Sequence, residues 1–401
     1  MQKRVLITSG RSPVALDLAR QLKSAGHVVF IAETLNFHVC RFSNAVSKSF
    51  IVRSPRLNTE GFIEDITRII EEEEIDLLIP IYEEALYLSY HQDRFPPRCK
   101  LFVSDFPVMN DLHNKWLFNQ KLIEQGFHAP QTVLLEKIED LKKLDQTKTY
   151  AVKAVYSRAG LQIKKFSPSI DKNLNIKFEP GNPWIAQEWI EGEKYCTYSV
   201  CQVGKVLAHS TYPVGYAVDG KGCIVFTSVD HNRILAWVQR LVKSLNYTGQ
   251  IAFDLIEKSN HKIYAIECNP RATSGAHLFL PKDRLDRAFL NTTSALIRPK
   301  NGTKKQLAVA MMLFGWRKNA IENNSSLKFL KTLTSVRDVV FSAGDLLPIV
   351  VQPAVFVGIW LRSVKAKQNL LAYFMYDYEW NGSLNENEKN QEKEEMLCLN
   401  G

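Results

Sequence analysis

The stretch Lys262-Ile263-Tyr264-Ala265-Ile266-Glu267-Cys268-Asn269-Pro270-Arg271 decides the fold of this chain. It reads as the second arm of a β-hairpin, Gln250–Ile256 with Lys262–Cys268, turning at Lys258-Ser259-Asn260. Residues i and i+2 of a strand share a face, so Glu267 and Asn269 present two oxygen donors side by side. Asp254 on the first arm falls near the same level. Two carboxylates and an amide suit a hard cation such as Mg²⁺, or Mn²⁺ in its place, shared with phosphate oxygens. Pro270 ends the ladder and aims Arg271 over the same place, where a guanidinium neutralises a phosphoryl group in transfer. The competing reading is a surface hairpin whose charges are solvated.

Three upstream pieces bear on that choice. Lys153 is a charge inside the apolar β run Tyr150–Val155, and the loop Tyr156-Ser157-Arg158-Ala159-Gly160 follows at once. Such a loop cradles phosphates through its backbone N–H groups, with the lysine as a point charge; otherwise Lys153 is an edge-strand residue beside a turn. Gln187-Glu188-Trp189-Ile190-Glu191-Gly192-Glu193 ends another strand. Adenine needs an apolar sandwich and a ribose needs a carboxylate, for which Glu188, Trp189, Ile190 and Glu193 are candidates; the other reading is a strand end with solvated acids. Lys115, inside an expected helical linker at 110–126, says nothing by itself.

Outward to the N-terminus, Val5–Ile7, a turn at Gly10–Pro13, a helix with Ala15, Leu18, Ala19 and Leu22, and Val28–Ala32 alternate as strand and helix. Ile75–Ile81 and Lys100–Val103 extend the pattern. This predicts an open parallel α/β sheet over residues 1–105. Without a full G-x-G-x-x-G, no dinucleotide site follows. Tyr82-Glu83-Glu84 sits where a sheet of this kind gathers ligands, so Glu83 and Glu84 are substrate candidates; a helix-start acid pair is the alternative.

Taken in order, these pieces resemble the ATP-grasp superfamily, in its carbamoyl-phosphate-synthetase-like and amino-acid-ligase branch. The resemblance covers roughly residues 1–290. It implies a pre-ATP-grasp α/β domain at 1–105 and an ATP-grasp domain of two α+β subdomains at 106–298. It further implies that Lys115 and Lys153 hold ATP phosphates, with Ser157, Arg158 and Gly160 in the phosphate loop. Glu188 to Ile190 would meet adenine and Glu193 the ribose. Asp254, Glu267 and Asn269 would hold Mg²⁺, and Arg271 would steady the transferred phosphoryl group. Two departures stand out: Ala154 replaces a usual Pro, and the Tyr156–Gly160 loop has one glycine where many members have several. The implied reaction phosphorylates a small carboxylate with ATP and then lets an amine attack. A nucleotide-binding protein with another acceptor, or with a regulatory or membrane-linked role, is the alternative. Ser274, Gly275 and His277 follow the expected metal strand and are substrate candidates; the alternative for His277 is a satisfied surface histidine.

Residues 299–380 are expected to form a mainly helical extension, and 381–401 a disordered tail. The 401 residues carry 51 Lys+Arg and 42 Asp+Glu, with 45% hydrophobic residues, an ordinary globular composition. Positive charge concentrates in 298–367, which has twelve basic and three acidic residues. Residues 346–361 carry no charge and would reach about 24 Å as a helix, short of the roughly 30 Å of a bilayer core. That leaves three readings: docking on an anionic membrane surface, packing on the core, or a homodimer contact. Nothing resembles a nucleic-acid module. Seven scattered cysteines without a Cys-x-x-Cys pair, and an N-terminus without a signal-peptide h-region, point to a reducing, cytoplasmic setting, or the inner face of a membrane.

Overall fold

The computed structural model describes residues 2–157, 163–171, 174, 176–218, 222–314 and 326–382. Arg158 and Gly160 of the expected phosphate loop, and the tail after Gly382, lie outside the described residues.

The chain opens with a five-stranded parallel sheet of order β3-β2-β1-β4-β5, built from β1 (Arg4–Thr8), β2 (Val28–Glu33), β3 (Lys48–Ile51), β4 (Leu77–Ile79) and β5 (Lys100–Leu101). Val5, Leu6, Ile7, Val29 and Ile31 have no exposed surface, as expected of strands covered on both faces. The covering helices are α1 (Pro13–Ser24), α2 (Thr59–Glu72) and the short α3 (Glu84–Tyr90). Ser12 and Asn58 cap the first two by accepting backbone N–H bonds.

The expected continuous linker helix is two helices, α4 (Phe106–His113) and α5 (Lys115–Glu124). Asn114 breaks them with extended backbone, and its side-chain oxygen accepts from Trp116 and Leu117. An Asn that satisfies the open N–H groups of a new helix competes with continuing the old one. Lys115 therefore opens a helix instead of lying inside one.

A four-stranded sheet of order β6-β9-β7-β8 follows, from β6 (Thr132–Leu135), β7 (Tyr150–Ala154), β8 (Lys164–Phe166) and β9 (Trp184–Glu188). The central antiparallel sheet, β11-β10-β14-β15, uses β10 (Glu193–Gln202), β11 (Lys205–Pro213), β14 (Gly249–Glu257) and β15 (Ile263–Asn269). Helix α6 (Asn232–Ser244) buries Ile234, Leu235, Val238 and Leu241. Ile234, Val238 and Leu241 contribute to a core shared with Phe118, Phe253 and Trp380.

The C-terminal extension is not only helical. Its β16 (Lys304–Gln306) and β17 (Arg337–Asp338) join β12 (Tyr216–Val218) and β13 (Gly222–Thr227) in a further sheet. Strands this short give too little alternation to be seen in sequence. The short α7 (Asp286–Phe289) precedes them, and α8 (Ala308–Phe314) and α9 (Ser326–Ser335) fall among them. Helix α10 (Leu347–Lys365) then returns to the first domain. Pro348, Gln352, Val355, Ile359 and Ser363 are its buried residues, and Val355 and Ile359 share a core with Val39 and Cys40 of a 3-10 turn.

The described residues end along the carboxyl ends of the parallel strands, through α11 (Leu370–Met375) and a turn to Trp380. The guanidinium of Arg11 donates to Glu33 (2.5 Å) and to Asp377 (2.7 Å), with Arg11 and Glu33 buried. The Tyr378 hydroxyl also donates to Glu33 (3.0 Å). Burial works to raise the Glu33 carboxyl, but the charge and hydrogen bonds of Arg11 outweigh it and bring it from 4.5 to about 2. Because the folded value is depressed, this stabilisation is whole above pH 4.5 and is lost as pH falls toward 2. Arg11→Met is expected to cost about 3–5 kcal/mol in urea unfolding, since it strands a buried carboxylate. Glu33→Gln should flatten the acid limb of the unfolding midpoint; an unchanged limb would assign it to other carboxylates.

Candidate active site

The hairpin has the register that the sequence suggests. Asp254 pairs with Glu267, and Ala252 with Asn269. The turn closes at Lys258–Lys262, where the Asn260 side chain accepts the Lys262 N–H and His261 takes a left-handed φ of 62°. Burial, and then the charge of Glu267, push the Asp254 carboxyl up to about 6, against a hydrogen bond from Cys196 and the charges of Lys153 and Arg271. Cys196 lies opposite Asp254 on β10. Among the described residues no three His, Cys, Asp or Glu side chains are grouped to hold a metal ion. The candidate cation site is thus two carboxylates with the nearly buried amide of Asn269, an all-oxygen set.

Lys153 reaches this hairpin from the other sheet. Its ammonium donates to the Ile266 carbonyl (2.9 Å) and to Gln187 Oε1 on β9 (3.0 Å). Burial lowers it to about 8, with Glu267 acting the other way. Lys115 comes from a third direction. Its Nζ donates to the Ser157 carbonyl (2.7 Å) and stands 3.7 Å from Glu267 Oε1. The backbone N–H of Lys115 bonds Val155, and Asn114 bonds the Tyr156 hydroxyl. The start of α5 therefore anchors the beginning of the loop that holds Ser157. The Ser157 hydroxyl itself turns back to the Ala154 carbonyl (3.0 Å).

The Glu188–Glu193 segment joins the two sheets. Trp189 N–H bonds Thr149, Ile190 is buried, and Lys165 lies 4.8 Å over the Trp189 ring. Glu188 accepts from the Gln131 N–H at 3.4 Å. A Cβ on Gly192 would lie 2.3 Å from the Glu257 carbonyl, so the strand crossing there requires glycine. Glu193 is exposed and accepts from the Tyr195 hydroxyl (2.6 Å).

Arg271 points toward the first domain, with its Nε 3.5 Å from Glu83 Oε1. Glu83 is buried and also accepts the Trp380 N–H (3.0 Å), with His113 Nε2 at 3.3 Å. It thus sits where the parallel sheet, the β14–β15 hairpin and the turn at Tyr376–Trp380 meet. Its neighbour does not. Glu84 is fully buried and accepts from Thr8, from Ser9 (2.8 Å) and from the N–H groups of Ile81 and Tyr82 (3.0 Å each). It ties β1 to the start of α3, the helix-start role weighed above. Two further substrate candidates are also structural. His277 pairs with Asp17 (3.0 Å) and stacks on Phe226, holding its 3-10 turn against α1. Gly275 has no room for a Cβ, which would lie 2.5 Å from Tyr198 Cβ. Ser274, half-buried, opens the same turn.

Residues 112–275 match the profile of the ATP-grasp domain (ATP-grasp_3). This chain carries an ATP-grasp domain. Solved structures share the fold. L-amino acid ligase from Bacillus licheniformis superposes with a TM-score of 0.55 at 16% identity, over 74% of this chain and 77% of that one. N5-carboxyaminoimidazole synthetase from Staphylococcus aureus, complexed with ADP, gives 0.57 at 11%, over 73% and 79%. The biotin carboxylase domain of Hydrogenobacter thermophilus 2-oxoglutarate carboxylase, with MgADP, ADP and bicarbonate, gives 0.57 at 14%, over 75% and 71%. A search of curated protein sequences returned no significant match.

The ATP-grasp fold here carries features that the sequence reading missed. Gln187 lay inside a motif read for its neighbours; alternation along β9 puts it on the Lys153 side, which is a usable signal. Trp380 gave no periodic signal, yet it is 2% exposed and packs edge-on against Tyr87 (4.9 Å) and Phe106 (5.4 Å). Trp380→Ala is expected to destabilise the fold by about 3–5 kcal/mol in denaturant titration. A loss below 1 kcal/mol would show that the turn at Tyr376–Trp380 is merely laid on the surface.

Proposed function

We propose that this chain is an ATP- and Mg²⁺-dependent carboxylate–amine ligase working through an acyl-phosphate. The observation that supports it most is the convergence on β15 of Lys153 and Lys115, from separate elements, beside the facing pair Asp254 and Glu267. Two ammonium groups for phosphates beside two carboxylates for a divalent cation is a charge pattern with little use except to hold a nucleoside triphosphate. Asp254, Glu267 and Asn269 fit Mg²⁺ by donor type, and burial, followed by the facing charge of Glu267, raises the Asp254 carboxyl, so a bound cation would favour its ionised form. Bound there, the ion would neutralise phosphate charge during transfer.

The chain's own groups do the rest. Lys153 and Lys115 bind and orient the phosphates. The Trp189–Ile190 hinge receives the adenine, with Glu188 and Glu193 at its polar edge. Arg271 holds the oxygens of the substrate carboxylate and of its acyl-phosphate. A carboxylate oxygen takes the γ-phosphoryl group and ADP leaves. An amine then attacks the carbonyl carbon, phosphate departs and the amine gives up a proton. Alignment and charge neutralisation supply the rate, without a covalent enzyme intermediate. Glu83 beside Arg271 gives the acceptor end both signs of charge, which suits a substrate with an ammonium and a carboxylate. The similarity to an L-amino acid ligase favours that class; the similarity to a bicarbonate-bound carboxylase domain keeps a non-amine acceptor as the second reading.

The test is ADP and phosphate release from Mg-ATP over amino acids and small carboxylates, singly and in pairs. Release of both with one specific pair is expected, lost in Lys153→Met and Glu267→Gln. Turnover unchanged in both variants would refute the site. A second expectation concerns pH. The Lys153 ammonium keeps its charge below about 8 and loses it above. Affinity of the free protein for Mg-ATP should therefore fall as pH rises through 8, by up to about tenfold per pH unit. Calorimetric titrations that stay flat through that range would remove Lys153 from the phosphate contact.

A further inference from the structure

Helix α10 has two unlike faces. Its inner face, Pro348, Gln352, Val355, Ile359 and Ser363, is buried. Half a turn round, Leu347, Val350, Val357, Trp360, Leu361 and Val364 are each more than half exposed. At 1.5 Å per residue the outward row from Val350 to Val364 runs about 21 Å. Single exposed apolar residues are ordinary, but a row along one helix is a contact surface. Length and apolarity alone would let α10 cross a membrane. Its packed face, held by Val355 and Ile359 in the first domain's core, keeps it lying flat against the protein instead.

The charge around this row selects what covers it. Between Asp345 and Asp377 the sequence has no acidic residue, while Arg362, Lys365 and Lys367 cluster at the C-terminal end of the helix. All three are exposed. Trp360 stands beside them, and an indole with neighbouring basic groups suits the boundary between acyl chains and headgroups. A second copy packed antiparallel would set its own basic cluster about a helix length from the first and leave both without an acidic partner. An anionic surface complements them.

We propose that the outward face of α10 docks the protein on an anionic membrane surface, with Val350, Val357, Trp360, Leu361 and Val364 entering the headgroup boundary and Arg362, Lys365 and Lys367 meeting lipid phosphates. The docking is independent of the ligase reading, and neither needs the other.

The test is co-sedimentation of the full chain with vesicles of phosphatidylcholine and phosphatidylglycerol in equal parts, against phosphatidylcholine alone. The protein is expected to pellet with the first and to be released by salt, since contacts between exposed charges are screened. Arg362→Gln with Lys365→Gln should weaken the partition about fivefold for each charge removed. Trp360→Ser with Leu361→Ser should abolish it without moving the unfolding midpoint, because both side chains are exposed. No pelleting at low salt, or equal pelleting with both vesicle types, would overturn the proposal. So would a concentration-dependent dimer that the Trp360→Ser, Leu361→Ser variant dissolves while vesicles leave it intact, which would make the face a seam between copies. If that variant does not fold, the charge pair alone decides: unchanged partition in it refutes the docking.

Discussion

Lys153 is an ammonium at the seam of two sheets, and the candidate site is arranged around it. It grows from β7 yet spends its protons on Gln187 of β9 and on the carbonyl of Ile266 in β15. A buried ammonium is tolerated only where oxygen surrounds it. Here the partners are two fixed oxygens and the nearby charge of Glu267. The same lysine therefore draws the two sheets together and offsets the carboxylate that faces Asp254. Lys115 adds a second positive charge from the start of α5. Asn114 is what permits this: by capping a new helix it swings the lysine toward the hairpin instead of leaving it along a continuing one.

Much of this was legible in the sequence, and for identifiable reasons. The spacing of two between Glu267 and Asn269 is a strand rule with no tertiary assumptions. The polar turn near Lys258–Asn260 then fixes the register that brings Asp254 opposite Glu267. Lys153 stood out because a charge inside Tyr150–Val155 needs a reason. The parallel sheet was plain in the alternation of buried runs with helical periodicity. What stayed hidden depends on contacts far along the chain. Glu83 and Glu84 are adjacent and alike in type, yet one meets Arg271 and Trp380 while the other closes the turn after β1. No local pattern separates them. Gly275 and His277 follow β15 as a substrate loop would, but Tyr198, Asp17 and Phe226 claim them for packing.

The extension after residue 298 is part of the enzyme-like body in three ways. Its strands complete the β12–β13 sheet, its long helix lies on the parallel domain, and its last turn covers the carboxyl ends of the first strands. Those strand ends are where an open α/β sheet ordinarily receives ligands. Here Asp377, Tyr378 and Trp380 take the place beside Arg11, Glu33 and Glu83. The crevice is thereby narrowed to the side where Arg271 stands.

The contact of Arg11 with Asp377 spans 366 positions of the chain. A ribosome makes Arg11 366 residues before Asp377, so the nascent parallel domain waits through the synthesis of all that lies between without its second carboxylate. Contacts this distant in sequence form late and slowly, because the intervening chain must be organised before its ends can meet. The parallel sheet can pair and cover its faces early, with Glu33 alone holding the guanidinium. Its upper rim closes only when translation has delivered the turn at Tyr376–Trp380, so this sheet is finished after the domains that follow it in sequence.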